Sequence, residues 1–174
     1  CLSPAWALVS DSPRGRAAEV AHSLAAALEE LDETLPRGEL TVAESADLLE
    51  LRARAAVREG TRLELAAGAS SWTVVLENSE IRPPAGTLRF ISVVPIAELD
   101  GLARFCASLA PHLSCLGHAG FGGGLGRLSA LAVEAGASRL CALGRMQLPP
   151  LDWNHDGQGP LRPLVRVLDV EGSS

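Results

Sequence analysis

Cysteine is the strongest nucleophile this 174-residue chain offers, and it stands at positions 1, 106, 115 and 141. A thiolate attacks activated acyl groups and forms covalent intermediates. No Cys-x-x-Cys pair occurs, and the neighbours of Cys106, Cys115 and Cys141 are largely apolar, so these three read as reduced core thiols of a cytosolic protein. His112-x-x-Cys115-x-x-His118 has the residue types of a zinc site. On one continuous strand, however, side chains alternate, and Cys115 would face away from both histidines. His155-Asp156 has the types of a general base with an orienting acid, but adjacent loop residues seldom point together, and hydrogen bonding within the loop is the expected role. No serine has a nucleophile-elbow context.

Gly117-His-Ala-Gly120-Phe-Gly122-Gly-Gly-Leu-Gly126 lies between an expected strand and an expected helix, where a dinucleotide-binding turn belongs. Its glycines do not follow the G-x-G-x-x-G order, and Arg139 and Arg145 stand where an acidic ribose ligand would be needed. A flexible strand-to-helix connection is the expected reading.

The elements that must hold these groups follow from periodicity. Residues 5–9 form a short apolar strand, and Ser12-Pro13 supplies an N-cap with proline in the first turn. Val20, Leu24, Leu28, Leu31 and Leu35 define a helix face that stops at Pro36 and Gly38. Thr41-x-x-Glu44 is a capping box opening a second helix through Leu48, Leu49, Leu51 and Val57, with Gly60 as its C′ residue. Strands are expected at 62–66, 72–76 and 88–94, with a Pro/Gly loop at 77–86. A helix at 96–109, a strand at 113–117, a helix at 125–134 and a strand at 139–143 complete the alternation. The fold class is therefore α/β, with parallel strand pairs and flanking helices.

Composition narrows the function. A net charge of −6 argues against nucleic acid as a partner, and the arginines are interspersed with acids as on a solvated helix face. The mean hydropathy of +0.19 and 47% apolar content suit one sizeable core, or a piece of a larger protein whose remainder covers some of that surface. Residues 105–126 are uncharged, but Pro111, two histidines and six glycines rule out a lipid-spanning helix there.

The densest concentration of unusual residues is Gly144-Arg-Met-Gln-Leu-Pro-Pro-Leu-Asp-Trp-Asn-His-Asp-Gly157, which has no helical or strand period. Together with Ala135–Leu143 before it and the closing stretch 164–171, it resembles the C-terminal signature of the fatty acyl-CoA reductases that supply aldehyde to bacterial luciferase. These form a branch of the aldehyde dehydrogenase superfamily. Leu88–Ile96 agrees more weakly, as does Cys1-Leu-Ser-Pro followed by a strand, which resembles the segment bearing the superfamily's nucleophile.

The resemblance implies a C-terminal fragment that starts at the catalytic cysteine. Residues 1–160 would be part of an aldehyde dehydrogenase-like catalytic domain, mostly parallel sheet with flanking helices, and 161–174 an extended tail resembling the superfamily's subunit-pairing arm. Cys1 would take the acyl group from acyl-CoA or an acyl-protein, and NADPH would reduce it to a fatty aldehyde. The cofactor domain, the general base and the oxyanion donor would precede Cys1 in the same enzyme. Ser79-Glu80-Ile-Arg-Pro83-Pro84 resembles the loop whose Glu touches the nicotinamide ribose, although Arg82 replaces its aromatic and Pro83 its glycine; Glu80 is the cofactor-binding candidate. The expected setting is cytoplasmic, without a membrane span, and the fragment alone is expected to be inactive. The alternative is a non-catalytic small α/β module that binds a ligand or partner through its Gly-rich turn and His-Asp-Gly loop.

Overall fold

A computed structural model describes residues 4–11, 15–65, 71–78, 88–110, 113–121, 124–155, 157–159 and 164. The chain divides into two compact units, Cys1–Phe105 and Cys106–Ser174. The boundary expected at residue 160, and the tail apart from Leu164, lie outside the described residues.

The first unit is a four-stranded sheet in the order β1-β4-β3-β2, built from β1 (Trp6–Ser10), β2 (Arg62–Leu65), β3 (Thr73–Leu76) and β4 (Phe90–Ile96). β4 runs parallel to both β1 and β3, and β2 closes one edge antiparallel to β3. Val74, Val75, Val93 and Val94 are fully buried, as β-branched residues of central strands covered on both faces should be. Helix α1 (Arg16–Thr34) packs on one face against Trp72, Val74, Ile91 and Val93. On the other face Val75 and Phe90 meet Leu48 and Ala55 of α2 (Val42–Ala56).

Two expectations for α1 require correction. Its N-cap is Gly15, with φ of +102°, rather than Ser12, and the Asp11 carboxylate at the end of β1 accepts from the Gly15 and Ala17 N–H groups at 3.1 and 2.9 Å. An acid at the helix N-terminus satisfies donors that a serine cap would otherwise take. The buried stripe is Ala17, Ala21, Ala25 and Leu28; Leu31 and Leu35 are exposed. Alanine lets the helix axis approach the sheet closely, so the small stripe faces inward and the leucines at the far end of the helix do not.

The capping box of α2 forms as expected. Thr41 Oγ1 accepts from Glu44 N at 3.2 Å, and the Glu44 carboxylate accepts from Thr41 N at 2.8 Å, which holds the Glu44 carboxyl below its ordinary range. The helix ends at Ala56 with Val57 as C-cap, so Gly60 is not its C′ residue but a left-handed turn residue (φ +72°) packed against Asn78.

β4 begins two residues later than expected because Leu88 and Arg89 are left-handed (φ 58° and 63°). The strain at Arg89 is offset by its guanidinium, which pairs with Asp32 at 2.7 Å and donates to the Leu35 carbonyl at 2.6 Å, anchoring the C-terminal end of α1. Helix α3 (Leu99–Ala107) is shorter than expected, since Ile96 completes β4 and its carbonyl accepts from Asp11 N.

The second unit holds β5 (Cys115–His118), α4 (Leu125–Glu134) and β6 (Arg139–Ala142), with β5 and β6 parallel. α4 ends in a Schellman motif: Gly136 is left-handed, its N–H bonds to Val133 O, and Ala137 N bonds to Ala132 O. Among the described residues, no helix is long and apolar enough to cross a membrane.

Candidate functional site

Cys1 and Glu80 lie outside the described residues, as do His112, Asp156 and the Ser12-Pro13 pair. The framework beside them is described. β1 opens five residues after Cys1 and is held in register by β4, Trp6 opposite Ser92 and Ser10 opposite Ile96. β3 leads to Glu77, three residues before Glu80.

Glu77 has the sequence setting of a loop residue, but the structure buries it directly after β3. It is only 2% exposed and is paired with Arg58 at 3.0 Å, with the Thr61 hydroxyl at 3.5 Å. Burial pushes its carboxyl above the ordinary range, while the Arg58 guanidinium and the Thr61 hydroxyl pull against that rise. The pair fixes the carboxyl end of β3. Its only sequence signal is an acid directly following a run of buried strand residues.

In the second unit the signature loop folds back over the β5–β6 face, and Arg139 organises it. Its guanidinium donates to the carbonyls of Met146 and Arg145, each at 2.7 Å, and of Leu148 at 3.3 Å. The same group lies 5.5 Å from the Trp153 ring centroid. His155 packs edge-on against Trp153 at 4.9 Å, and its backbone bridges to Gln158. Arg139, Arg145, Leu148, Pro149, Pro150 and Trp153 form most of the wall of an open recess of about 730 Å³. A forked cation with five donors is suited to gathering several carbonyls at once.

Met146, the only methionine, seats its sulfur on Gly117 of β5, where any Cβ would collide with it. Gly117 therefore serves as a notch for the loop. The parallel register sets Cys115 opposite Arg139 and Gly117 opposite Cys141. Alternation then puts Cys115, Gly117, Arg139 and Cys141 on one face of the two-stranded sheet.

Cys115 and Cys141 accordingly approach to 3.9 Å between sulfurs, and both are half-buried free thiols. This corrects the expectation of three core thiols, for only Cys106 is buried in the core. Burial pushes the Cys106 thiol up. Burial also raises the Cys115 thiol, reinforced by the adjacent Cys141, against the pull of Arg139. The pair was invisible in sequence because the residues lie 26 apart and meet only through strand register.

Cys115 and His118 lie three positions apart on β5 and so face opposite ways. Among the described residues no group of three His, Cys, Asp or Glu side chains could hold a metal ion. In the Gly-rich segment Gly120 is left-handed and Gly124 caps α4 without any side-chain hydrogen bond.

A mostly parallel sheet with helices on both faces, followed by a β-α-β unit and an arginine-ordered loop, defines a mixed α/β protein. The family model for acyl-CoA reductase (LuxC) matches residues 1–167. The match covers nearly the whole chain, and the chain belongs to the acyl-CoA reductase (LuxC) family. Acyl-CoA reduction, an oxidoreductase chemistry, is the activity that membership indicates. A search of curated proteins found no match.

Proposed function

We propose that this chain carries the acyl-accepting part of a long-chain acyl-CoA reductase, with Cys1 as its nucleophile and an aldehyde dehydrogenase-like fold around it. The observation that supports this reading most is the family match, which includes Cys1 and the strand that follows it. The Cys1 thiolate attacks the thioester carbonyl of acyl-CoA, or of an acyl-protein. A new C–S bond forms, the bond to the donor sulfur breaks, and the departing thiolate takes up a proton. The product is an acyl-enzyme at the oxidation level of the substrate. Release as aldehyde requires a further two electrons and a proton.

NADPH is the proposed reductant. The described residues make no cradle that fits it. The Gly117–Gly126 turn lacks the dinucleotide order, α4 has no side-chain cap, and Arg139 is committed to loop carbonyls. The reading therefore assigns cofactor binding to an N-terminal region of the same enzyme, with Glu80 as the contact from this chain. It also makes residues 1–160 one catalytic portion and 161–174 an arm between subunits, in the cytoplasm.

Covalent labelling tests the assignment. The intact enzyme incubated with radiolabelled long-chain acyl-CoA should retain label on Cys1, identified by peptide mass. Cys1→Ala should lose that label, and Cys106→Ala should keep it; label persisting in Cys1→Ala overturns the nucleophile. Glu80→Gln should raise the KM for NADPH without changing label stoichiometry. The 174-residue chain alone should show no acyl-CoA-dependent oxidation of NADPH, and measurable turnover would refute the placement of the cofactor region.

A further inference from the structure

Two thiols approach each other on the β5–β6 face, the Met146 sulfur is seated on Gly117 of the same face, and the proposed acyl transfer uses none of the three. We propose that Cys115, Cys141 and Met146 form a site for a soft monovalent cation of the copper(I) class. Thiolate and thioether are the ligands that such an ion selects over harder metals.

The spacing carries the argument. The two Sγ atoms are 3.9 Å apart. Two sulfurs each about 2.3 Å from a shared metal lie about 3.8 Å apart in tetrahedral geometry and about 4.0 Å apart in trigonal geometry. A disulfide instead needs the sulfurs at about 2.05 Å and the Cα atoms within about 6.8 Å. Cys115 and Cys141 are diagonal neighbours across the strand pair, since each stands opposite a residue two places from the other. At 3.9 Å the two sulfurs stand about twice an S–S bond length apart, at the separation that a shared bridging atom spans.

The third ligand comes from the signature loop. The Met146 sulfur rests on Gly117, the register partner of Cys141 and two residues along β5 from Cys115. Side-chain alternation makes that the face both thiols occupy. The cation displaces one proton from each thiol, so the complex of two thiolates, one thioether and a single positive charge carries a net charge of −1. Arg139, opposite Cys115 in register, supplies the compensating positive charge. Among the described residues no three His, Cys, Asp or Glu groups converge, so nitrogen and carboxylate ligands for a four-coordinate zinc ion are not assembled.

Anaerobic titration of the chain with copper(I), against a chromophoric bidentate chelator, tests the site. About one equivalent should be withheld from the chelator, with a new thiolate-to-metal absorption. Bound copper(I) should protect Cys115 and Cys141, and not Cys106, from alkylation mapped by peptide mass, a readout that needs no variant. Cys115→Ser and Cys141→Ser should each weaken retention by more than about tenfold, and Met146→Leu by about tenfold. Equal alkylation of both thiols with and without copper(I), or unchanged affinity in Met146→Leu, overturns the three-sulfur site.

Discussion

The Arg139 guanidinium lies 5.5 Å from the Trp153 ring centroid while donating to the carbonyls of Arg145, Met146 and Leu148. One side chain on β6 thus fixes both ends of the nine-residue span from Arg145 to Trp153, which has no helix or strand of its own. Lysine keeps the charge but cannot reach three carbonyls from a fixed fork. Arg139→Lys should therefore destabilise the second unit by about 2 kcal/mol. Urea unfolding followed by Trp153 fluorescence in a background with Trp6 and Trp72 replaced by Phe measures this, and an unchanged midpoint would show that the loop is ordered by other contacts.

Glu77 and Arg58 give stability a dependence on pH. Burial raises the Glu77 carboxyl in the folded chain, so over the window between its unfolded and folded pKa the native state binds more protons than the unfolded state. The contribution of this group is fully present below the ordinary carboxylate range and is lost as pH rises through the raised folded value. Glu77→Gln removes the titration. The stability of the wild type relative to this variant should fall as pH rises from about 4, and a difference that stays flat across that range would refute the shift.

Arg58→Ala leaves that carboxylate without its cation. Arg58 is partly exposed, its side chain 24% accessible, so the loss is smaller than for a fully buried pair. The expected destabilisation is about 2 kcal/mol at neutral pH, and it should shrink in acid, where Glu77 is neutral. Denaturant titration at two pH values decides it.

How much of this was legible in the sequence depends on the range of the signal. The capping box of α2 and the span of α4 are set by residues within one or two turns, and both were read correctly. The family was legible in the unusual residues of the Gly144–Gly157 stretch, which the family match spans. The face of α1 was misread, because hydrophobicity favours leucine inside whereas close approach to the sheet favours the alanine stripe. The N-cap of α1 was misplaced because Asp11 acts from the end of the preceding strand, across four and six residues. The Arg139 hub, the Glu77–Arg58 pair and the Cys115–Cys141 approach all depend on strand register or chain reversal. No local pattern records those.

The two helix starts should respond separately. Asp11→Ala removes the acceptor for Gly15 N and Ala17 N, and Thr41→Ala removes the acceptor for Glu44 N. Each should cost about 1 kcal/mol. The two residues share no hydrogen-bond partner, so the double variant should lose about 2 kcal/mol, and a coupling larger than about 0.5 kcal/mol would contradict independent caps.

Gly117 is the remaining test of how the loop docks. A Cβ there would overlap the Met146 sulfur and meet Met146 Cγ at 2.9 Å and Leu143 Cδ2 at 3.1 Å. Each of these atoms belongs to a side chain rather than to backbone, so the loop yields by moving Met146 off the strand. Gly117→Ala should cost about 1–2 kcal/mol, the usual penalty of overpacking. Met146→Ala empties the same space, so adding it to Gly117→Ala should cost less than it does in the wild type, with a coupling of about 1 kcal/mol. Strict additivity in that double-mutant cycle would mean that Met146 does not rest on Gly117, and the glycine would then need another explanation.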